Sequence, residues 1–170
     1  MTRNVCVPLA ATVFFAASAF AQNGNALKAN FIGLSGSEIG RVLLTEGDGG
    51  VLFEIELTGL PPRKWVALHI HEIGTCDPKD GFKSAGPHFN PFGKRHGLLA
   101  AEGPHAGDMP NQYVGDDGVL RAQVFGASVL IDDKERGIRA RALVVHDGSD
   151  DYRTDPAGGA GDRVACSVIP

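Results

Sequence analysis

The sequence predicts an all-β domain, a Greek-key β-sandwich or flattened barrel with two long functional loops, and three observations predict it. Of 170 residues, 23 are Gly and 10 are Pro, a turn-rich composition without the Gly-X-Y period of collagen. Short runs alternate apolar and polar residues between Gly, Asp and Pro, as half-buried strands do. No stretch shows a convincing helix, heptad or internal repeat.

Taken in order, Ala29 to Leu34 and Arg41 to Leu44 read as the first two strands. Val51 to Leu57 sets Phe53, Ile55 and Leu57 against Glu54 and Glu56, one buried face and one wet face. Gly47-Asp48-Gly49-Gly50 just before it is a hairpin turn signal. Trp65 to His71 is the next strand. Leu120 to Val124 and Ser128 to Ile131 are shorter candidates. Ala140 to His146 and Ala165 to Ile169 complete the set. Two stretches lack this alternation, Ile73 to Tyr113 and the Asp- and Gly-rich Asp147 to Arg163. Loops that long are uncommon unless they carry function.

The chain is 43% hydrophobic and 21% charged, ordinary for a globular protein and long enough for one domain at roughly 100–200 residues each. A net charge of −4 gives no basic footprint for nucleic acid, and 7% aromatics give no base-stacking surface. Met1 to Asn4 carries one Arg and no acid, Val5 to Phe20 is apolar or small, and Ala19-Phe20-Ala21 is a small-x-small cleavage site. These are the three regions of a secretory signal over residues 1–21, leaving the folded domain at 22–170. The apolar run is interrupted by Pro8 and falls short of the about 18 residues of a spanning helix. No membrane anchor is expected, and the mature chain is expected in the periplasm or medium. Cys6 would leave with the signal. The remaining pair, Cys76 and Cys166, is expected to close in an oxidising compartment, two free thiols being the other reading.

All six histidines lie in or beside the two long stretches. In His69-Ile70-His71 the strand period puts both imidazoles on one face, opposite Val66, Leu68 and Ile70, so the rings are expected to point outward together. Such a pair is half of a site for Zn, Cu, Fe or Ni, although a solvated His pair on a strand is equally ordinary. His88, His96, His105 and Asp108 fall close together in a Gly-rich segment. Three nitrogens and one carboxylate oxygen form a tetrahedral set that zinc accepts; incidental histidines in a polar loop are the alternative. His146 ends its strand.

With those residues in view, the chain resembles the copper–zinc superoxide dismutases in their exported bacterial form. His69-Ile-His71-Glu72, Gly74-Thr-Cys76, Ser84-Ala-Gly-Pro-His88-Phe-Asn-Pro91 and His96-Gly97 run in the family's order. His105-Ala-Gly-Asp108-Met-Pro-Asn111, Val144-Val-His146, Asp150-Asp-Tyr-Arg-Thr-Asp-Pro156 and Arg163-Val-Ala-Cys166 follow. The resemblance implies one copper on His69, His71, His88 and His146, and one zinc on His88, His96, His105 and Asp108, with His88 as a shared imidazolate. It implies that Asp150 accepts hydrogen bonds from one histidine of each set, and that Arg163 lies beside the copper mouth. The family fold is a Greek-key sandwich. Ala67-Leu68 stand where the family more often has Gly-Phe, and Ser167 where Gly is frequent. Ala67 shares the face of His69, so its bulk is expected to crowd the copper side slightly.

The implied activity is dismutation of superoxide to dioxygen and hydrogen peroxide through alternate reduction and oxidation of the copper. Superoxide is a small anion and the chain is acidic, so attraction has to be local, from the metals and Arg163 at a focused opening. Arg153 and Lys83 are further cations whose place the sequence does not give. The implied bridge can break on reduction, letting His88 carry a proton. A periplasmic copper/zinc-binding protein without turnover is the alternative on the same scaffold; it would need the ligands but not Arg163 or Asp150. Monomer and homodimer both stay open.

Overall fold

The computed structural model describes residues 26–170; the expected signal, residues 1–21, lies outside the described residues. Among the described residues nine strands form one sheet: β1 (Ala26–Gly33), β2 (Glu38–Gly47), β3 (Gly50–Leu57), β4 (Lys64–Val66), β5 (Leu68–His71), β6 (Gln112–Val114), β7 (Leu120–Gly126), β8 (Ala142–His146) and β9 (Arg163–Val168). Their order is β4-β6-β7-β3-β2-β1-β9-β8-β5, with every pairing antiparallel. The two strands at the ends of that order, β4 and β5, are consecutive in the chain and separated by Ala67 alone. The sheet therefore curls until its ends meet, a nearly closed barrel.

The alternation read from Val51 to Leu57 holds. Phe53, Ile55 and Leu57 are buried, while Glu54 and Glu56 face outward, Glu56 pairing with Arg41 at 3.1 Å. Gly47 pairs with Gly50 across the two-residue turn. At Gly50, φ is +147° and a Cβ would sit 2.3 Å from the Gly126 carbonyl oxygen, so only glycine fits. Phe31, Val42, Leu44, Leu68, Ile70, Leu120, Leu143 and Val145 fill the interior. A small second cluster, Phe82, Ala85, Ala142, Val144 and Cys166, lies under the first long loop.

Several expectations are corrected. Trp65 to His71 is two strands, because at Ala67 the chain changes partners. The amide of Ala67 donates to Gly148 and its carbonyl accepts from His146. Ser128 to Ile131 forms no strand, only an isolated bridge from Leu130 to Gly137. β6, three residues long, lies at the end of the stretch read as loop. That stretch also holds two single 3-10 turns, Pro78–Asp80 and Lys83–Ala85, the first capped by the Asp77 side chain on the Lys79 amide. Ala140 stands outside β8 at φ +58°.

Candidate metal centre

β5 carries His69 and His71 on the face away from Leu68 and Ile70, as alternation requires. That face is not wet. His69 and His71 have no solvent exposure, because the segments 72–111 and 147–162 fold over it. Single bridges from His69 to Asp108 and from His71 to His88 seat the first segment on the edge of β5. His146 stands at the end of the neighbouring β8.

Two sets of donor atoms result. One atom each from His69, His71, His88 and His146 lie mutually within 4.8 Å, as do those of His88, His96, His105 and Asp108, and all seven residues are buried. Hydrogen bonds decide which ring nitrogen is left over. His71 Nδ1 donates to the Gly86 carbonyl at 2.9 Å, leaving Nε2, which lies 3.3 Å from His146 Nε2. His69 Nε2 donates to Asp150 Oδ2 at 2.9 Å, leaving Nδ1 buried with no hydrogen-bond partner among the described residues; the same holds for His88 Nε2. In the second set, Nδ1 of His88, His96 and His105 stand 3.0, 3.1 and 3.4 Å from one oxygen, Asp108 Oδ1. A carboxylate oxygen has two lone pairs and cannot serve three donors. Tetrahedral zinc with bonds near 2.0 Å holds its ligand atoms about 3.3 Å apart, so a cation at the centre accounts for the convergence better than hydrogen bonds do.

The electrostatics put His71, His88, His146 and Asp108 in their ligand forms. Burial, aided by the neighbouring His88 charge, pushes the His71 imidazolium far below the ordinary histidine range. Burial also lowers His88 to about 4 and His146 to about 3. These rings are neutral at neutral pH. Burial alone would raise Asp108, but contacts from the His105 and His88 rings and the Gly97 amide hold it well below the carboxylate range. Asp150 likewise resists burial and falls to about 2 because His69 and His96 donate to it.

Asp150 joins the sets. Its Oδ2 accepts from His69 and its Oδ1 from His96 at 3.0 Å. Asn111 brackets its backbone, accepting the Asp150 amide and donating to its carbonyl, each at 2.8 Å. The Asn111 amide in turn donates to the Tyr152 hydroxyl at 2.7 Å. A Cβ on Gly158 would fall 1.8 Å from Asp150 Oδ1, so the backbone there can only be glycine. Asp155 ties the two loops, accepting from the His96 amide at 2.6 Å and from Arg95 Nε at 2.7 Å. Sequence reasoning gave Asn111, Tyr152, Gly158 and Asp155 no role. For Asn111, Tyr152 and Asp155 the only signal was membership of the quoted motifs.

Arg163 opens β9 directly opposite His146. Its guanidinium, half-buried, donates to the Phe82 and Gly86 carbonyls, both at 2.7 Å. Gly86 thus accepts from Arg163 and from His71 together. Cys76 and Cys166 form a disulfide with Cα atoms 5.7 Å apart, pinning the first loop to β9. Lys83 is exposed in its 3-10 turn, and Arg153 donates to the Leu99 carbonyl at 3.2 Å. Ala67 is buried at the change of partners, and Ser167 is buried with no partner for its hydroxyl among the described residues.

The family profile described as copper/zinc superoxide dismutase (SODC) matches residues 38–169. A curated relative, superoxide dismutase [Cu-Zn] 2 of Aquifex aeolicus (strain VF5), is 47% identical over 165 residues, 95% of each chain. Among solved structures, a SOD-like protein from Bacillus subtilis superposes with TM-score 0.80 at 31% identity, covering 84% of this chain and 97% of that one. The Cu/Zn superoxide dismutase from Brucella abortus superposes with TM-score 0.69 at 31% identity, covering 85% and 99%. Matching motif order, barrel and buried donor sets agree with these likenesses: the chain belongs to the copper/zinc superoxide dismutase family, and its enzyme class is superoxide dismutase.

Proposed function

We propose that His69, His71, His88 and His146 hold a copper ion, that His88, His96, His105 and Asp108 hold a zinc ion, and that His88 serves both. Bound there, copper supplies the one-electron couple by which one superoxide is oxidised to dioxygen and a second, with two protons, is reduced to hydrogen peroxide, while redox-inactive zinc supplies charge and geometry. The observation that carries this reading is the set of buried ring nitrogens left over after hydrogen bonding, with His88 offering Nδ1 to one cluster and Nε2 to the other.

This chain's own residues do the rest. Asp150 holds the His69 and His96 rings in the tautomers that turn Nδ1 toward the ions. The Gly86 carbonyl does the same for His71. Arg163, its charge fixed and its fork partly anchored, attracts the anion and hydrogen-bonds it beside the first set. His88 Nε2 accepts a proton when it is not serving as a ligand, and so delivers one of the two that peroxide needs. The disulfide fits an exported protein. Among the described residues no helix is long and apolar enough to cross a membrane. We place cleavage of the signal near Ala21 and the mature chain in the periplasm or medium.

The test is metal content with activity on the purified mature protein. One copper and one zinc per chain, with activity abolished by cyanide, are expected. Full metal loading without turnover would instead favour a binding protein on the same scaffold.

A further inference from the structure

Arg141 lies outside both donor sets, yet it touches the segment following a ligand in each of two places. Its guanidinium carbon sits 3.7 Å from the centroid of the Phe89 ring, next after His88. Its NH1 donates to the Glu72 carbonyl at 2.8 Å and lies 2.9 Å from the Glu72 carboxylate, next after His71. Its Nε donates to the Gly137 carbonyl at 2.9 Å. Arg141 itself immediately precedes β8, the strand that ends in His146. The two ligand segments it joins are also paired directly, by the His71–His88 bridge, by the Glu72, Ile73 and Phe89 amides on the Pro87, Ala85 and Ile70 carbonyls, and by His71 Nδ1 on the Gly86 carbonyl; Arg141 adds a side-chain tie to that ladder. Phe89 is fully buried, so the ring cannot shift without opening the core, and the planar Arg141 cation is laid on its face.

We propose that Arg141 is a positioning residue for the shared histidine. Stacked on Phe89 and tied to the Glu72 carbonyl, it fixes the spacing between His71 and His88 and thereby the angle at which the His88 ring faces both donor sets. The inference rests on His88 serving both metals. Only arginine has the chemistry: a flat face for the ring together with in-plane donors for two carbonyls and a carboxylate, which lysine does not combine.

The test uses Arg141→Met, Arg141→Lys and, as control, Arg139→Met. Arg139 lies in the same segment but is bound to Asp132, away from Phe89 and Glu72. Each protein is loaded with copper(II) in the first set and cobalt(II) in the second. A shared imidazolate couples the two spins and suppresses the copper paramagnetic resonance signal. Zinc affinity is measured separately by chelator competition. In the parent the copper signal is expected to be suppressed. Arg141→Met should restore it and weaken zinc about tenfold or more, the usual scale for residues that orient ligands. Arg141→Lys should fall between, and Arg139→Met should match the parent. A purely structural role would lower melting temperature in both Met variants without moving the coupling. A coupled parent with unchanged Arg141 variants overturns this inference alone. An uncoupled parent overturns the shared-histidine reading and this inference with it. Should Arg141→Met fail to fold, the lysine variant decides by the same two measurements.

Discussion

The two donor sets stand on different kinds of scaffold. Three of the four residues in the proposed copper set, His69, His71 and His146, are on β5 and β8, whose register places His69 opposite Val144 and His71 opposite Ala142. All four residues of the proposed zinc set belong to the loop between β5 and β6. The sheet alone places the first three. The second set is placed by cross-links: the Cys76–Cys166 disulfide, the Asn111–Asp150–Tyr152 bonds, Asp155, and the common oxygen of Asp108. A strand site is thus positioned by folding, whereas a loop site depends on its ion and its ties.

The largest effect expected is at the strand site. His71→Ala should abolish turnover while zinc and fold persist, measured as metal content and cyanide-sensitive activity; retained activity would refute the copper assignment. Next is the principal tie of the loop. Cys166→Ser removes a link spanning a sequence separation of 90 and should cost about 4–5 kcal/mol in the chain-entropy account. Melting temperature in oxidising buffer should fall, and zinc should be lost before copper. Arg163→Glu touches no donor atom, so metal content should stay parental while the rate drops by about 10–10³-fold and its salt dependence flattens or reverses. A metallated variant with parental rate and parental salt dependence would reduce Arg163 to an ordinary charge. The smallest is Asp150→Asn, which keeps shape but loses the carboxylate that both rings bind. Zinc affinity should weaken about 10–100-fold, more than copper affinity, because His96 has no strand to hold it; equal losses would erase the distinction between the two scaffolds.

The barrel was legible where side chains alternate. Phe53, Ile55 and Leu57 announced their face, and Gly47 to Gly50 announced its turn. Periodicity identifies a face but not what covers it, so His69 and His71 were expected to point outward when in fact the loops bury them. β6 escaped notice because three residues hold too little alternation to register. Ser128 to Ile131 had suitable residues and no neighbouring strand to pair with. The donor residues stood out through their type and motif order. Asn111 and Asp155 did not, because they act on backbone groups 39 and 59 residues away in sequence, and no local pattern encodes such a contact. Gly158 is hidden for the related reason that its contribution is the absence of a side chain.

β5 closes the barrel at one end of the strand order, and among the described residues its outer side is paired by the loop alone. The Ile70 amide donates to the Gly107 carbonyl, and the Ile70 carbonyl accepts from Phe89, so residues flanking His88 and Asp108 act as a cover for a strand edge. An uncovered edge is a template on which another chain can add. Ions bound as proposed would hold this loop down and so would also guard against self-association. Stripped of metals, and more so with the disulfide reduced, the protein should scatter more light at a given concentration than its loaded form. On the proposed metal sites, resistance to aggregation would then depend on the bound ions as much as on the sequence.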